Sequence, residues 1–201
     1  MGSVAFLRAV NVAGRTVSVT DLARRLGPLG ARSIGAAGTF VLTARAGPSS
    51  VADTISRALG FPTPVVVVPA REVAALLASD PFRGEGRVPG AKRYVTVLAG
   101  APTRAPALPI DRPEGAGWEV RVTERRGPFV LSLWRLVGER RRFYANAVVE
   151  AAYGVAATTR GWETIERVGR ALSEEERPGK IARGRPPVSP PRREGSPRGQ
   201  R

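Results

Sequence analysis

An α+β fold is predicted by three features of the chain. Apolar and capped segments follow one another in the order β-α-β-β-α-β over residues 3–68, and a second stretch of strands and helices runs on to about residue 176. The last 25 residues carry almost no large apolar side chains. The first order is that of a ferredoxin-like subdomain, assigned here to residues 1–69. A second, smaller α+β subdomain is assigned to 70–176, and a disordered Arg/Pro/Gly-rich tail to 177–201.

Each element has a local reason. Residues 3–12 (SVAFLRAVNV) read as an apolar strand with a turn at Gly14-Arg15. Ser18, three positions before Asp21, is a variant of the capping box and opens a helix to about Leu29, closed by Gly30. Residues 31–36 and 39–45 are two short strands either side of Ala37-Gly38. Ser50 and Asp53 repeat the cap spacing and start helix 51–59, which Gly60 and Pro62 stop. The β-branched run at 64–70 (PVVVVPA) predicts a strand buried on both faces or central in its sheet.

In the second subdomain, 70–79 is a short helix ended by Asp80-Pro81, and Phe82 reads as a packed aromatic beside that stop. Residues 92–100 form a strand, a turn-rich loop follows, and 118–127 with 128–138 make a hairpin turning at Gly127-Pro128. Two helices end the folded part. One runs from about 146 to 153 with Asn146 as cap and Gly154 as stop, and the other covers about 161 to 176. In the last, Trp162, Ile165, Val168 and Leu172 share one helical face and read as core.

Composition removes much chemistry. With no Cys and no His, thiolate nucleophiles, disulfides, Cys/His zinc sites and imidazole bases are excluded. The four Asp, at 21, 53, 80 and 111, form no D-x-D run, so neither metal nor cofactor is expected. No apolar stretch reaches the roughly 18–20 residues that span a bilayer, and the first ten residues lack the plan of a secretory signal; no membrane association and a cytoplasmic location are expected. The net charge is +15, of which residues 177–201 hold +7 through eight basic side chains and Glu194. Further basic clusters stand at Arg24-Arg25, Arg125-Arg126 and Arg140-Arg141-Arg142. Such a balance attracts phosphate-containing ligands or nucleic acid, or reflects an Arg-rich coding bias.

The run FLRAVNVAGRTVSVTDLARRLGPLGARSIGAAGTFVLTA, the SDPF segment at 79–82 and VVEAAYGVAATTRGWETI at 148–165 resemble the bacterial domain of unknown function 1697 family. The resemblance spans roughly 3–170 and implies two ferredoxin-like or similar α+β subdomains, with no activity attached. Arg8, Asn11, Gly14, Gly38, Thr158, Thr159, Arg160 and Trp162 keep the family's residue types, whereas Ala9, Ala13, Ala37, Thr39 and Gly161 replace its Gly, Gly, Ser, Asn and Asn.

The candidate ligand-binding residues are Arg8, Asn11, Gly14, Gly38, Thr158, Thr159 and Arg160. Thr158, Thr159 and Arg160 immediately precede the last helix, so hydroxyls, a guanidinium and free N–H groups would converge on an anion at its start. The alternative is an N-cap at Thr159 with Arg160 a structural or solvated charge. Arg8, in an apolar strand, either faces outward or is buried with a carboxylate partner. One Gly in the NVAG turn is too few for a phosphate loop or a dinucleotide fingerprint. The function these features suggest is a non-catalytic, anion-engaging binding module for nucleic acid or a phosphorylated ligand. The alternative is a small-molecule enzyme using Arg8, Arg160 and a carboxylate such as Glu150 or Glu163.

Overall fold

A computed structural model of the chain describes residues 2–8, 11–12, 15–16, 18–60, 64–84 and 88–176. The elements in order are β1 (Ser3–Leu7), β2 (Asn11–Val12), β3 (Arg15–Thr16), α1 (Val19–Arg25), β4 (Ala31–Ser33), β5 (Thr39–Leu42), α2 (Pro48–Leu59), β6 (Val65–Pro69) and α3 (Ala70–Ala78). There follow β7 (Lys92–Leu98), β8 (Ile110–Arg112), β9 (Val120–Arg126), β10 (Phe129–Trp134), α4 (Ala145–Tyr153), β11 (Ala157–Gly161) and α5 (Trp162–Glu176). Among the described residues the chain is therefore a mixed α+β protein built on two larger antiparallel sheets and five helices. The 177–201 segment lies outside the described residues. Among the described residues no helix is long and apolar enough to cross a membrane.

The first sheet has the order β4-β5-β1-β6 and the second β11-β7-β10-β9-β8, while β2 and β3 pair with each other. Two-residue alternation along β1 divides the molecule into layers. Ala5 and Leu7 face Leu22, Leu26, Val51 and Ile55 of α1 and α2. Val4 and Phe6 face the opposite way, into one core shared with Val95, Val97, Leu131 and Leu133 of the second sheet and Val73, Ile165 and Val168 of α3 and α5. The far face of the second sheet, with Val120, Val122 and Val130, packs on Val148 and Val149 of α4. Where α3 and α5 meet, Gly169 leaves room for the tip of the Leu77 side chain.

Several elements differ from the sequence reading, each for a local reason. The strand expected over 3–12 ends at Leu7, and Asn11–Val12 turns back on Arg15–Thr16 as a separate hairpin. The valine run of β6 is an edge strand rather than a central one, pairing with β1 alone. Pro64 and Pro69 bracket that run and have no N–H to give a second neighbour. Helix α2 starts earlier, at Pro48, where a fixed φ suits the first turn, and α4 is entered from Tyr144 rather than Asn146. The 157–161 segment is a strand, because it pairs with β7 from Ala157↔Leu98 to Gly161↔Tyr94, and only then does α5 begin.

One buried acid fixes the entry to α4. Glu119 is fully buried; its Oε2 accepts the amides of Arg142 (3.0 Å) and Phe143 (3.4 Å), and its Oε1 accepts Arg142 Nε at 2.5 Å. Loss of surrounding water pushes this carboxyl up, but the two amides and the guanidinium more than offset it and hold it below the ordinary carboxylate range. A depressed native value means that the stabilisation is present above the unfolded carboxylate range and is lost as pH falls through the native value. Melting curves from neutral to about pH 3 should show wild type losing more stability than Glu119→Gln, which starts lower and falls less steeply. Equal acid slopes would show that Glu119 does not clamp the 142–143 backbone.

Candidate functional site

Strand β11 presents Thr158 and Arg160 toward the first sheet and Ala157 and Thr159 toward α4, as pleating requires. Arg160 is 6% exposed, and its guanidinium reaches across to the ends of β1 and β5. Its Nε donates to Thr39 Oγ1 at 2.8 Å; Nη1 donates to Thr158 Oγ1 (2.8 Å) and the Thr159 carbonyl (2.9 Å). Nη2 donates to the carbonyls of Leu7 (2.7 Å) and Gly38 (3.3 Å). Five N–H donors thus meet five neutral oxygens, none from a carboxylate. Burial pushes the guanidinium down to about 10, so it remains charged at neutral pH. Gly38 supplies its carbonyl from a left-handed turn (φ +66°) that also accepts the Leu7 amide at 2.8 Å.

Beside this joint, Arg8 forms a two-pronged pair with Glu150 on α4, 2.5 Å from Nη1 to Oε1 and 3.1 Å from Nη2 to Oε2. Glu150 Oε1 also accepts the Ala157 amide at 2.8 Å. On the α4 side, Thr96 and Thr159 share a hydrogen bond of 2.8 Å, and the Thr159 hydroxyl contacts Asn146 Oδ1 at 3.2 Å. Five of the seven expected site residues, Arg8, Gly38, Thr158, Thr159 and Arg160, therefore gather at one end of the molecule. Asn11 lies in β2, opposite Thr16, and Gly14 falls outside the described residues. Glu163 is exposed on the first turn of α5.

The gathering differs from an open anion site. The Arg160 donors point at backbone and hydroxyl oxygens of two sheets, not at a cleft over the start of α5. Arg8 and Glu150 neutralise each other. Cavities of ≈ 830, 410 and 470 Å³ lie elsewhere among the described residues: between α3 and α5, beside β6, and beside Leu108 and Arg121. Among the described residues no His/Cys/Asp/Glu group could hold a metal ion.

A second polar surface was visible in the sequence only as Arg140-Arg141-Arg142. It forms where β7 begins, β10 ends and the loop runs into α4. The Arg141 guanidinium lies 4.0 Å from the Trp134 ring centroid and 5.0 Å from that of Tyr144, and Nη2 is 3.5 Å from the Tyr94 hydroxyl. Lys92 Nζ stands 5.9 Å from the Trp134 ring. Arg140, Arg141 and Lys92 are exposed, and so is Tyr144, at 56%. The remaining clustered arginines among the described residues have protein partners: Arg24 pairs with Asp21, Arg25 with the Ala58 carbonyl, Arg125 with the Gly127 carbonyl, Arg126 with Glu124, and Arg142 of the same cluster with Glu119. Adjacency to Phe143-Tyr144 was the sequence signal that could have marked this surface.

Fold and site together define a two-sheet α+β protein in which Arg160, Thr158 and Gly38 join the sheets, with a basic, aromatic surface at one end. The family model described as "Protein of unknown function (DUF1697)" matches residues 1–126, and the chain belongs to that family. The 148–165 run lies beyond the matched segment. Among solved structures, the conserved bacterial protein SP0830 from Streptococcus pneumoniae is similar, with 13% identity and a TM-score of 0.51, covering 85% of this chain and 98% of that one. That likeness is one of fold. No curated protein matches the chain.

Removing the Arg160 side chain takes its donors from the Leu7 carbonyl and the Thr39 and Thr158 hydroxyls, while the Gly38 carbonyl keeps the Leu7 amide. At about 1–3 kcal/mol for each buried group that finds no replacement, Arg160→Ala should lose at least about 3 kcal/mol in urea unfolding. Phosphate should change the melting temperature of that variant as it changes that of the wild type. A loss below about 1 kcal/mol together with an abolished phosphate response would return Arg160 to the role of anion ligand.

Proposed function

We propose that the protein is a non-catalytic binding module that engages anionic, phosphate-bearing ligands through the Arg141 surface. The observation that carries this reading is the placement of Arg141 against Trp134 and Tyr144, with Lys92 and Arg140 exposed nearby. Cations packed on aromatic rings keep their N–H groups free for phosphate oxygens while the rings fix their position. The +7 of residues 177–201 would add an unspecific attraction that raises local ligand concentration. Two findings speak for binding over catalysis. Arg8 and Glu150, the pair named for an enzymatic alternative, are consumed by each other, and the Arg160 donors are consumed by the inter-sheet joint.

The proposal extends to architecture. Residues 1–69 are taken as a ferredoxin-like subdomain, supported by the β-α-β-β-α-β succession and the order β4-β5-β1-β6, and residues 70–176 as the second subdomain. In both sheets every pairing is antiparallel.

Salt titration tests the reading. Each phosphate neutralised on a single strand contributes about −0.7 to the slope of log affinity against log salt, so Lys92→Ala/Arg140→Ala/Arg141→Ala should flatten the slope by about 2. Binding to oligonucleotides that is undetectable at low salt, or a slope unchanged in the triple variant, would remove the function from this surface.

A further inference from the structure

We infer that the Arg141 surface is a site for single-stranded nucleic acid, its phosphates held by Arg141 and Lys92 beside the start of α4 and an adjacent unpaired base stacking on Tyr144. The inference rests on the anion-engaging reading above and names its ligand.

Four observations lead to it. First, α4 is a nine-residue helix entered through Tyr144 without a side-chain cap. The amides of Ala145, Asn146 and Ala147 have no hydrogen-bond partner among the described residues, since the first bond in this turn runs from the Val148 amide to the Tyr144 carbonyl. Second, Trp134 is 8% exposed, yet its indole N–H has no acceptor among the described residues, while its ring lies against Arg141. The buried Trp134 ring is a fixed platform that holds the Arg141 guanidinium in place with its own donors turned to solvent. Third, Arg141 touches protein acceptors only through the long contact to Tyr94. The acids nearby do not cancel the patch: Glu119 is spent on Arg142, leaving exposed Glu139 against Lys92, Arg140 and Arg141. Fourth, Tyr144 is a large ring left mostly in water beside these cations.

The shape then selects among phosphate-bearing ligands. A small phosphorylated metabolite is normally held in a cavity that covers most of its surface, whereas Lys92, Arg140, Arg141 and Tyr144 of this patch are all exposed. A strand, by contrast, adds weak contacts along an open surface. A duplex offers phosphates but keeps its bases stacked on one another, so it cannot use the exposed ring; an unpaired strand can use both. The Glu119 clamp on the two residues preceding Tyr144 holds the ring and the helix start in a fixed relation, which lowers the ordering cost of binding.

Fluorescence anisotropy on the full chain, at one fixed salt concentration, tests the inference with a labelled deoxythymidine oligomer of about 10 nucleotides, a duplex of equal length, and inorganic phosphate as competitor. Tyr144→Ala should weaken single-strand binding at least about fivefold, the lower end for losing one stacked base, and leave duplex binding within about twofold. Tyr144→Phe, which keeps the ring, should retain wild-type affinity and shows that loss in the alanine variant is loss of stacking. Lys92→Ala/Arg141→Ala should weaken both nucleic acids, and phosphate should compete with both. If Tyr144→Ala affects neither ligand, or both equally, while the charge variant still weakens binding, the surface binds anions but the single-strand assignment is wrong. If the charge variant changes nothing, the functional reading itself fails. Phosphate competition that fully displaces the duplex but tighter binding of phosphate than of the oligomer would also overturn the assignment.

Discussion

A buried arginine without an acid beside it is what the rest of the molecule is arranged around. Arg160 stays charged inside a joint between two sheets because every N–H it carries finds a neutral oxygen, three of them backbone carbonyls. Such an arrangement is demanding: the carbonyls of Leu7 and Gly38 must be presented at the same end of β1 and β5, Gly38 must take a left-handed turn, and β11 must be pleated so that residue 160 points inward. Placing a cation in a dry interior is costly unless its donors are all met. The joint therefore holds the register of both sheets relative to each other.

Around it, charge is used twice more and differently. Arg8 and Glu150 tie the end of β1 to α4 at a half-buried position, where the pairing adds direction rather than much energy. Glu119, fully buried, fixes the backbone leading into α4. Together they leave α4 with its start uncapped and its flanking ring exposed, next to the cations not spent on internal pairs. Internal pairs thus engage Arg8, Arg142 and Arg160 among the arginines that sequence alone would assign to ligand binding, and the Arg141 surface is the one we propose for binding.

Much of the fold was legible because it is written locally. Ser18 before Asp21 does cap α1, its hydroxyl accepting the Asp21 amide, and Gly60 and Gly154 do close helices in left-handed turns. Trp162, Ile165 and Val168 are core, as their helical spacing indicates. What sequence missed was decided at long range. Thr158-Thr159-Arg160 before a helix looks like a cap, and only pairing with β7, some sixty positions earlier, makes it a strand. The acceptors of Arg160 are mostly carbonyls, which carry no residue-type signature. Arg8 and Glu150 are separated by 142 positions, so nothing local announces them as partners. The Arg140–Arg142 cluster was visible, but not that Glu119 removes one of its three charges and that Trp134 and Tyr144 frame another.

The central claim is that Arg160 makes the two sheets one cooperative unit. Native-state hydrogen exchange under conditions of increasing denaturant tests it most directly. The account predicts that the slowest amides of β1 and β5 and those of β7 and β11 open with the same free energy in the wild type, and that in Arg160→Met the two sets separate. Sets that already open at different free energies in the wild type, with spacing unchanged by the substitution, would contradict it.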